Sequence, residues 1–186
     1  MLRNRYYNIA LIFVISIVGC KDDVVPKPSA QLRLEYPVPK YVPFENRCPY
    51  SFGINADAII TEKGECNFTI HYPKMKATVY LSYKAVNNDI NVLLRDAQKL
   101  TYEHVIKADD IVEQPYLNND NRVYGMFYQV QGNAATNAQF YVTDSTRHFV
   151  AGSVYFYAKP NFDSIMPAAN YIKNDMRAIM ETLKWK

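Results

Sequence analysis

The stretch from His148 to Ala158 is apolar on both sides of a two-residue repeat: Val150, Val154 and Phe156 alternate with Phe149, Ala151, Tyr155 and Tyr157. A strand of that kind cannot leave one face in water, so its sheet must be covered on both sides. The chain supplies two covers. Ile90, Leu93, Leu94, Ala97, Leu100, Thr101, His104 and Val105 recur at helical spacing behind Asn88-Asp89, which read as cap and acidic first turn. Ile165, Ala168, Ala169, Ile172, Met176, Ile179, Met180 and Leu183 form a second stripe, with Pro167 in its first turn, where proline is tolerated. Strand patterns occur at residues 31–36, 50–54, 58–61, 66–72, 77–85, 123–131 and 139–143, with Lys63-Gly64 as a turn and Pro37, Pro39 and Pro43 ending the first strand. Residues 108–113 and the loop at 118–121 read as the connection out of the first helix. The fold class expected is α+β, a mainly antiparallel sheet with helices on both faces, in a single domain over residues 31–186.

The residues before that domain carry an address. Arg3 and Arg5 precede an apolar run from Ile9 to Val18, then Gly19 and Cys20. The run is shorter than the about 20 residues that span a bilayer and reads as the cleaved core of a secretory signal over residues 1–19. Ile17-Val18-Gly19-Cys20 matches the bacterial lipobox, which makes Cys20 the acylated first residue of the mature chain, carrying fatty acyl groups such as palmitate. Residues 20–30, with Pro26 and Pro28 among charges, read as an extended tether.

With Arg3 and Arg5 removed, 19 basic side chains remain against 18 acidic. That balance leaves no basic stripe of the kind nucleic acid requires. The six glycines form neither G-x-G-x-x-G nor G-x-x-x-x-G-K, so the usual nucleotide cradles are absent. Cys48 and Cys66 form an even pair in an exported chain, which predicts a disulfide.

Reaction chemistry is hard to assemble from what is left. His71, His104 and His148 are the only histidines and none has metal-ligand spacing. Asp144, Ser145 and His148 resemble a triad only in composition; sequential neighbours in a turn read instead as an Asx turn. No metal, cofactor or catalytic group is expected. Asp109 and Asp110, with Glu103 and Glu113 nearby, are the densest acidic cluster, and together with Lys107 they read either as a partner-binding patch or as a solvated connector. The 16 tyrosines offer a second functional reading, an aromatic platform for envelope glycan or peptidoglycan, against the plainer one of sheet core.

Long runs in the chain carry a resemblance: Leu32-Arg33-Leu34-Glu35-Tyr36-Pro37, Cys48-Pro49-Tyr50-Ser51-Phe52, the stretch from Leu94 to His104, Ile106-Lys107-Ala108-Asp109-Asp110-Ile111, and the ending Met180-Glu181-Thr182-Leu183-Lys184-Trp185-Lys186. In these the chain resembles the gliding motility lipoprotein GldD family of Bacteroidota. The resemblance implies a non-enzymatic component needed for gliding and for the linked type IX secretion apparatus. It also implies an envelope location through a lipid at Cys20, in the outer membrane facing the periplasm, with other motility or secretion proteins as partners. The closing strand and helix are similar to PsbP-like α/β/α domains, a likeness of fold alone. Lys21-Asp22-Asp23 resembles a surface-export signal of that phylum. Asp144-Ser145-Thr146 and Asp163-Ser164-Ile165 fit its O-glycosylation pattern.

Overall fold

The computed structural model describes residues 35–103, 108–132, 134–157 and 162–186, with the side chains of Phe162 and Asp163 left aside. Cys20, the signal, the tether, His104 and Lys107 lie outside the described residues, as do residues 31–34 of the first predicted strand. Its last two residues, Glu35 and Tyr36, are not in strand conformation.

The elements run β1 (Tyr41–Phe44), β2 (Tyr50–Asn55), β3 (Ile59–Glu62), β4 (Phe68–Tyr72), a 3-10 turn (Pro73–Met75), β5 (Ala77–Ala85), α1 (Ile90–Tyr102), β6 (Ala108–Asn118), β7 (Val123–Gly132), β8 (Ala138–Thr143), β9 (His148–Phe156), α2 (Phe162–Thr182) and β10 (Lys184–Trp185). Seven strands form one sheet in the order β3-β4-β5-β9-β8-β7-β6, and β1-β2-β10 form a smaller one; every pairing is antiparallel. The domain is therefore α+β, two antiparallel sheets with two helices among the described residues.

The long strand that anchors the sequence reading is β9, which pairs with β5 from Ala77↔Phe156 to Ala85↔His148. On one face of that pair Val79, Leu81, Val150 and Val154 are buried together with Phe68, Ile70, Phe127 and Phe140. Ile172, Met176, Ile179 and Met180 of α2 and Tyr50, Phe52 and Ile54 of β2 close the same core. Gly152 stands opposite Leu81 on one side and Phe140 on the other, and a Cβ there would lie 2.4 Å from the Phe140 ring. The ring occupies the space that the glycine leaves. Residues of alternate register meet α1: the Thr101 hydroxyl donates to Gln139 Oε1 at 2.7 Å, and Leu93, Ala97 and Leu100 line a cavity with Ser82, Phe149 and Ala151.

Several expectations are corrected. Pro43 does not end a strand but lies within β1, opposite Gly53; β1 is the edge of the small sheet, where a missing N–H interrupts no ladder. Pro167 is not in the first turn of the last helix, because α2 already begins at Phe162. Asp89 holds the N-cap position of α1 through its backbone carbonyl alone; its carboxylate does not cap the helix but accepts from the Asn87 N–H at 2.8 Å. Residues 108–113 are no connector: they begin β6, an 11-residue strand at the edge of the large sheet. Cys48 and Cys66 are bonded, with Cα atoms 5.5 Å apart, fastening the chain ahead of β2 to the β3–β4 turn. A loop of 18 residues closed this way stabilises by about 3 kcal/mol in the chain-entropy account.

Candidate functional site

The apolar stripe of α2 carries one charged side chain. Asp175 lies three residues after Ile172 and four before Ile179, on the buried face, and only 1% of it reaches solvent. Its partners come from the N-terminal part of the domain. Tyr41 of β1 donates its hydroxyl to Oδ1 at 2.7 Å, and the Asn55 amide at the end of β2 donates to Oδ2 at 2.8 Å. The second Asn55 N–H reaches the Tyr171 hydroxyl at 2.9 Å, while Asn55 Oδ1 accepts from the Asp57 backbone N–H at 3.0 Å. Tyr72, at the end of β4, is 5% exposed; its hydroxyl interacts with Asp175 but has no partner within ordinary hydrogen-bond geometry.

This arrangement fixes the electrostatics. Burial pushes the Asp175 carboxyl above the usual carboxylate range, and the Asn55, Tyr41 and Tyr72 contacts only partly offset that. Burial likewise pushes the hydroxyls of Tyr41, Tyr72 and Tyr171 up, with the Asp175 charge adding to it. Asp175 has no cationic partner among the described residues. In front of the network lies a cavity of about 280 Å³, bounded by Tyr36 and Pro37, by Ile59 of β3, by Tyr72 and the 3-10 turn, and by Tyr171. The Tyr36 ring rests against Tyr171 at 5.3 Å between centroids. Asn55, Tyr72 and Tyr171 line this cavity, and Asp175 itself lies behind them with both carboxylate oxygens bonded within the protein.

The residues singled out in the sequence lie elsewhere. Asp109 and Asp110 are exposed at the start of β6, whereas the Glu113 carboxylate accepts a hydrogen bond from Tyr102 of α1. The register between β6 and β7 shifts at Asp109, and Gly132 has φ +94° there; a Cβ on Gly132 would lie 2.7 Å from the Asp109 carboxylate. Asp109 is thus packed into a bulge. The Asp144 turn forms as an Asx turn: Oδ1 accepts from the backbone N–H groups of Thr146, Arg147 and His148 at 3.0, 2.7 and 2.8 Å, and Oδ2 accepts from the Thr146 hydroxyl. His148 turns its Nδ1 to the Tyr83 hydroxyl at 2.9 Å and stacks on Trp185, so no Ser-His-Asp relay is assembled. The tyrosines divide. Tyr50, Tyr72 and Tyr128 are buried, and the neighbouring Tyr80 and Tyr155 rings meet edge-on at 77°, not as a flat platform.

The apolar members of the α2 stripe do not by themselves reveal Asp175. The available signal was its position inside that stripe, where an acid must find buried partners. Asn55, Tyr41 and Tyr72 are distant in sequence, and nothing in their local pattern reveals that they converge on it.

The family model for the gliding motility lipoprotein GldD matches residues 21–185. The chain belongs to the gliding motility lipoprotein GldD family. No curated protein sequence matches it. The GldD match starts one residue after Cys20 and runs through β10, taking in all of the described domain but Lys186. No helix among the described residues is long and apolar enough to cross a membrane.

Proposed function

We propose that this GldD-family protein is a lipid-anchored, non-enzymatic assembly factor for gliding motility and for the linked type IX secretion apparatus. In this reading Cys20 holds it on the outer membrane, facing the periplasm, and the domain acts by binding other machinery proteins. The observation that carries the reading is the family match over residues 21–185, directly downstream of a lipobox. The Cys48–Cys66 bond supports an exported, oxidising compartment. We further propose that the contact surface includes Lys107, Asp109, Asp110 and Glu113.

The layering we propose is α/β/α, PsbP-like, with α1 and α2 on opposite faces of the large sheet. Support comes from β6, where the neighbouring residues Glu113 and Gln114 bond Tyr102 of α1 and Arg177 of α2 respectively. Adjacent residues of a strand point to opposite faces. The edge-on rings of Tyr80 and Tyr155 weigh against glycan binding, since sugars stack on flat aromatic surface.

The test is Cys20→Ala in a gliding bacterium. The variant is expected to be exported without fatty-acid label, to leave the membrane fraction, and to abolish colony spreading and secretion of adhesins. Spreading at the wild-type rate by a variant that carries no label would overturn the anchored reading.

A further inference from the structure

We propose that His148 is an acid-operated release for the closing strand: when its ring takes up a proton, Trp185 leaves the ring and β10 leaves β2, while the large sheet stays folded. The inference does not depend on the motility reading. It starts from a box of rings. The His148 ring lies 5.3 Å from that of Trp185 and nearly parallel to it, at 20°, and 6.0 Å from that of Tyr83. Tyr50 closes the box, stacked on Tyr83 at 5.8 Å and tilted at 62° to Trp185 at 6.4 Å. Only 8% of His148 reaches solvent.

That box suits a neutral imidazole and not a charged one. Nδ1 meets the Tyr83 hydroxyl at 2.9 Å, whereas Nε2 is buried without a hydrogen-bond partner. An imidazolium donates from both nitrogens. The Tyr83 oxygen can accept one of those bonds, and nothing accepts the other. The face of Trp185 attracts a cation but offers Nε2–H no lone pair. The groups that surround the ring do not supply the missing charge. Tyr83 of β5 and Tyr50 of β2 have hydroxyls pushed up by burial and stay neutral, and Arg122 reaches Trp185 of β10 only through its backbone carbonyl. In the turn before the ring, Asp144 is taken up by three backbone N–H groups and the Thr146 hydroxyl, with Arg147 at 3.9 Å. Burial therefore holds the imidazole below its ordinary 6.5, Asp144 pulling it up and Arg147 pulling it down. A proton binds the released ring better than the boxed one. The box is at full strength above 6.5 and weakens as the pH falls from there toward the boxed value.

The wall that gives way is β10. His148 and Tyr83 lie in strands paired over their whole length, from Ala77↔Phe156 to Ala85↔His148, whereas β10 has two pairs, Lys184↔Ser51 and Trp185↔Tyr50. Its other ties are the bond from the Trp185 indole N–H to the Arg122 carbonyl at 3.0 Å and those of Lys186 to Pro49, Asn46 and Glu45. Without β10, β2 becomes the edge of the small sheet, and a proton has turned an interior strand into one to which another strand can add.

Trp185 is the chain's only tryptophan, so its fluorescence reports this site alone. The experiment follows acrylamide quenching of Trp185 and the NMR signals of the His148 ring in the full chain in detergent, from about pH 8 to about pH 5. The opened population is expected to rise by up to about tenfold per pH unit below 6.5, one proton being taken up, with unchanged far-ultraviolet circular dichroism. Its rise is expected to track the titration of the His148 ring and to vanish in His148→Gln, which keeps a neutral polar side chain. Quenching that stays flat over the whole range would overturn the proposal. A rise that does not follow the His148 signals would overturn it too, a comparison made in the wild-type chain and independent of whether the variant folds. The same rise in a folded His148→Gln would assign the release to another group.

Discussion

Asp144 and Asp175 are both buried, and they represent opposite solutions to the same physical problem. Asp144 sits in a turn and takes its hydrogen bonds from the three backbone N–H groups of the residues that follow it, with Arg147 at 3.9 Å on the solvent side. Burial alone would push its carboxyl up, but those N–H groups outweigh burial and hold it at about 2. Asp175 sits mid-helix, where the backbone N–H groups are already spent on the helix, so only side chains from other elements can serve it. Burial prevails and its carboxyl rises. Local backbone holds a carboxylate charged; side chains borrowed from other elements satisfy its oxygens without offsetting the cost of burial.

The largest effect that could break this contrast is Asp144→Ala. Removing the shared acceptor of three N–H groups is expected to destabilise the domain by about 3 kcal/mol, read from the urea midpoint at unchanged slope. A loss under about 1 kcal/mol would mean that water takes over the turn.

The second prediction is a pH titration of stability. A carboxyl held at about 2 against 3.8 when free contributes stability that is complete above the free value and is lost as the pH falls through the folded one. Asp144 is expected to supply roughly 2 kcal/mol of acid sensitivity between about pH 5 and 2, and Asp144→Asn to flatten that limb. Asp175 has the opposite sign: raised above 3.8, it favours folding in acid and costs stability as the pH rises through its folded value. Asp175→Asn should therefore steepen the acid limb.

At neutral pH, Asp175→Asn is expected to stay within about 1 kcal/mol of the wild type, because the lost charge-assisted bonds and the removed desolvation cost oppose each other. Calorimetry showing a loss near that of Asp144→Ala would place both aspartates in the scaffold. The smallest effect is Asp110→Lys, at most about 0.5 kcal/mol, since the residue is exposed at the sheet edge. Normal abundance with lost gliding would mark that edge as a contact surface; unimpaired gliding would remove it.

How far the sequence reached follows the same division between local and distant partners. β5 is legible to its ends because Ala77–Ala85 alternates and is flanked by clear breaks. Both helices are legible in their apolar stripes, and the Asp144 turn in Asp144, Ser145 and His148, which lie within five residues. β6 was obscured by Asp109, Asp110, Glu113 and Pro115, residues that discourage strand at a sheet edge and also keep that edge from pairing with other chains. β10 is only two residues long, and its partner is Ser51 with Tyr50, nearly the whole domain away. The Asp175 site joins β1, β2, β4 and α2, so its members share no local pattern.

The small sheet has a consequence for the order of assembly. Its middle strand, β2, gains one neighbour from the residues immediately before it and the other from Lys184 and Trp185. Until Lys184 and Trp185 pair with it, β2 has only β1 as a strand neighbour. Such sequence-distant pairing slows folding and keeps the polypeptide open for longer. The small sheet is thus complete only once residues 184 and 185 are in place, so its closure depends on the far end of the domain.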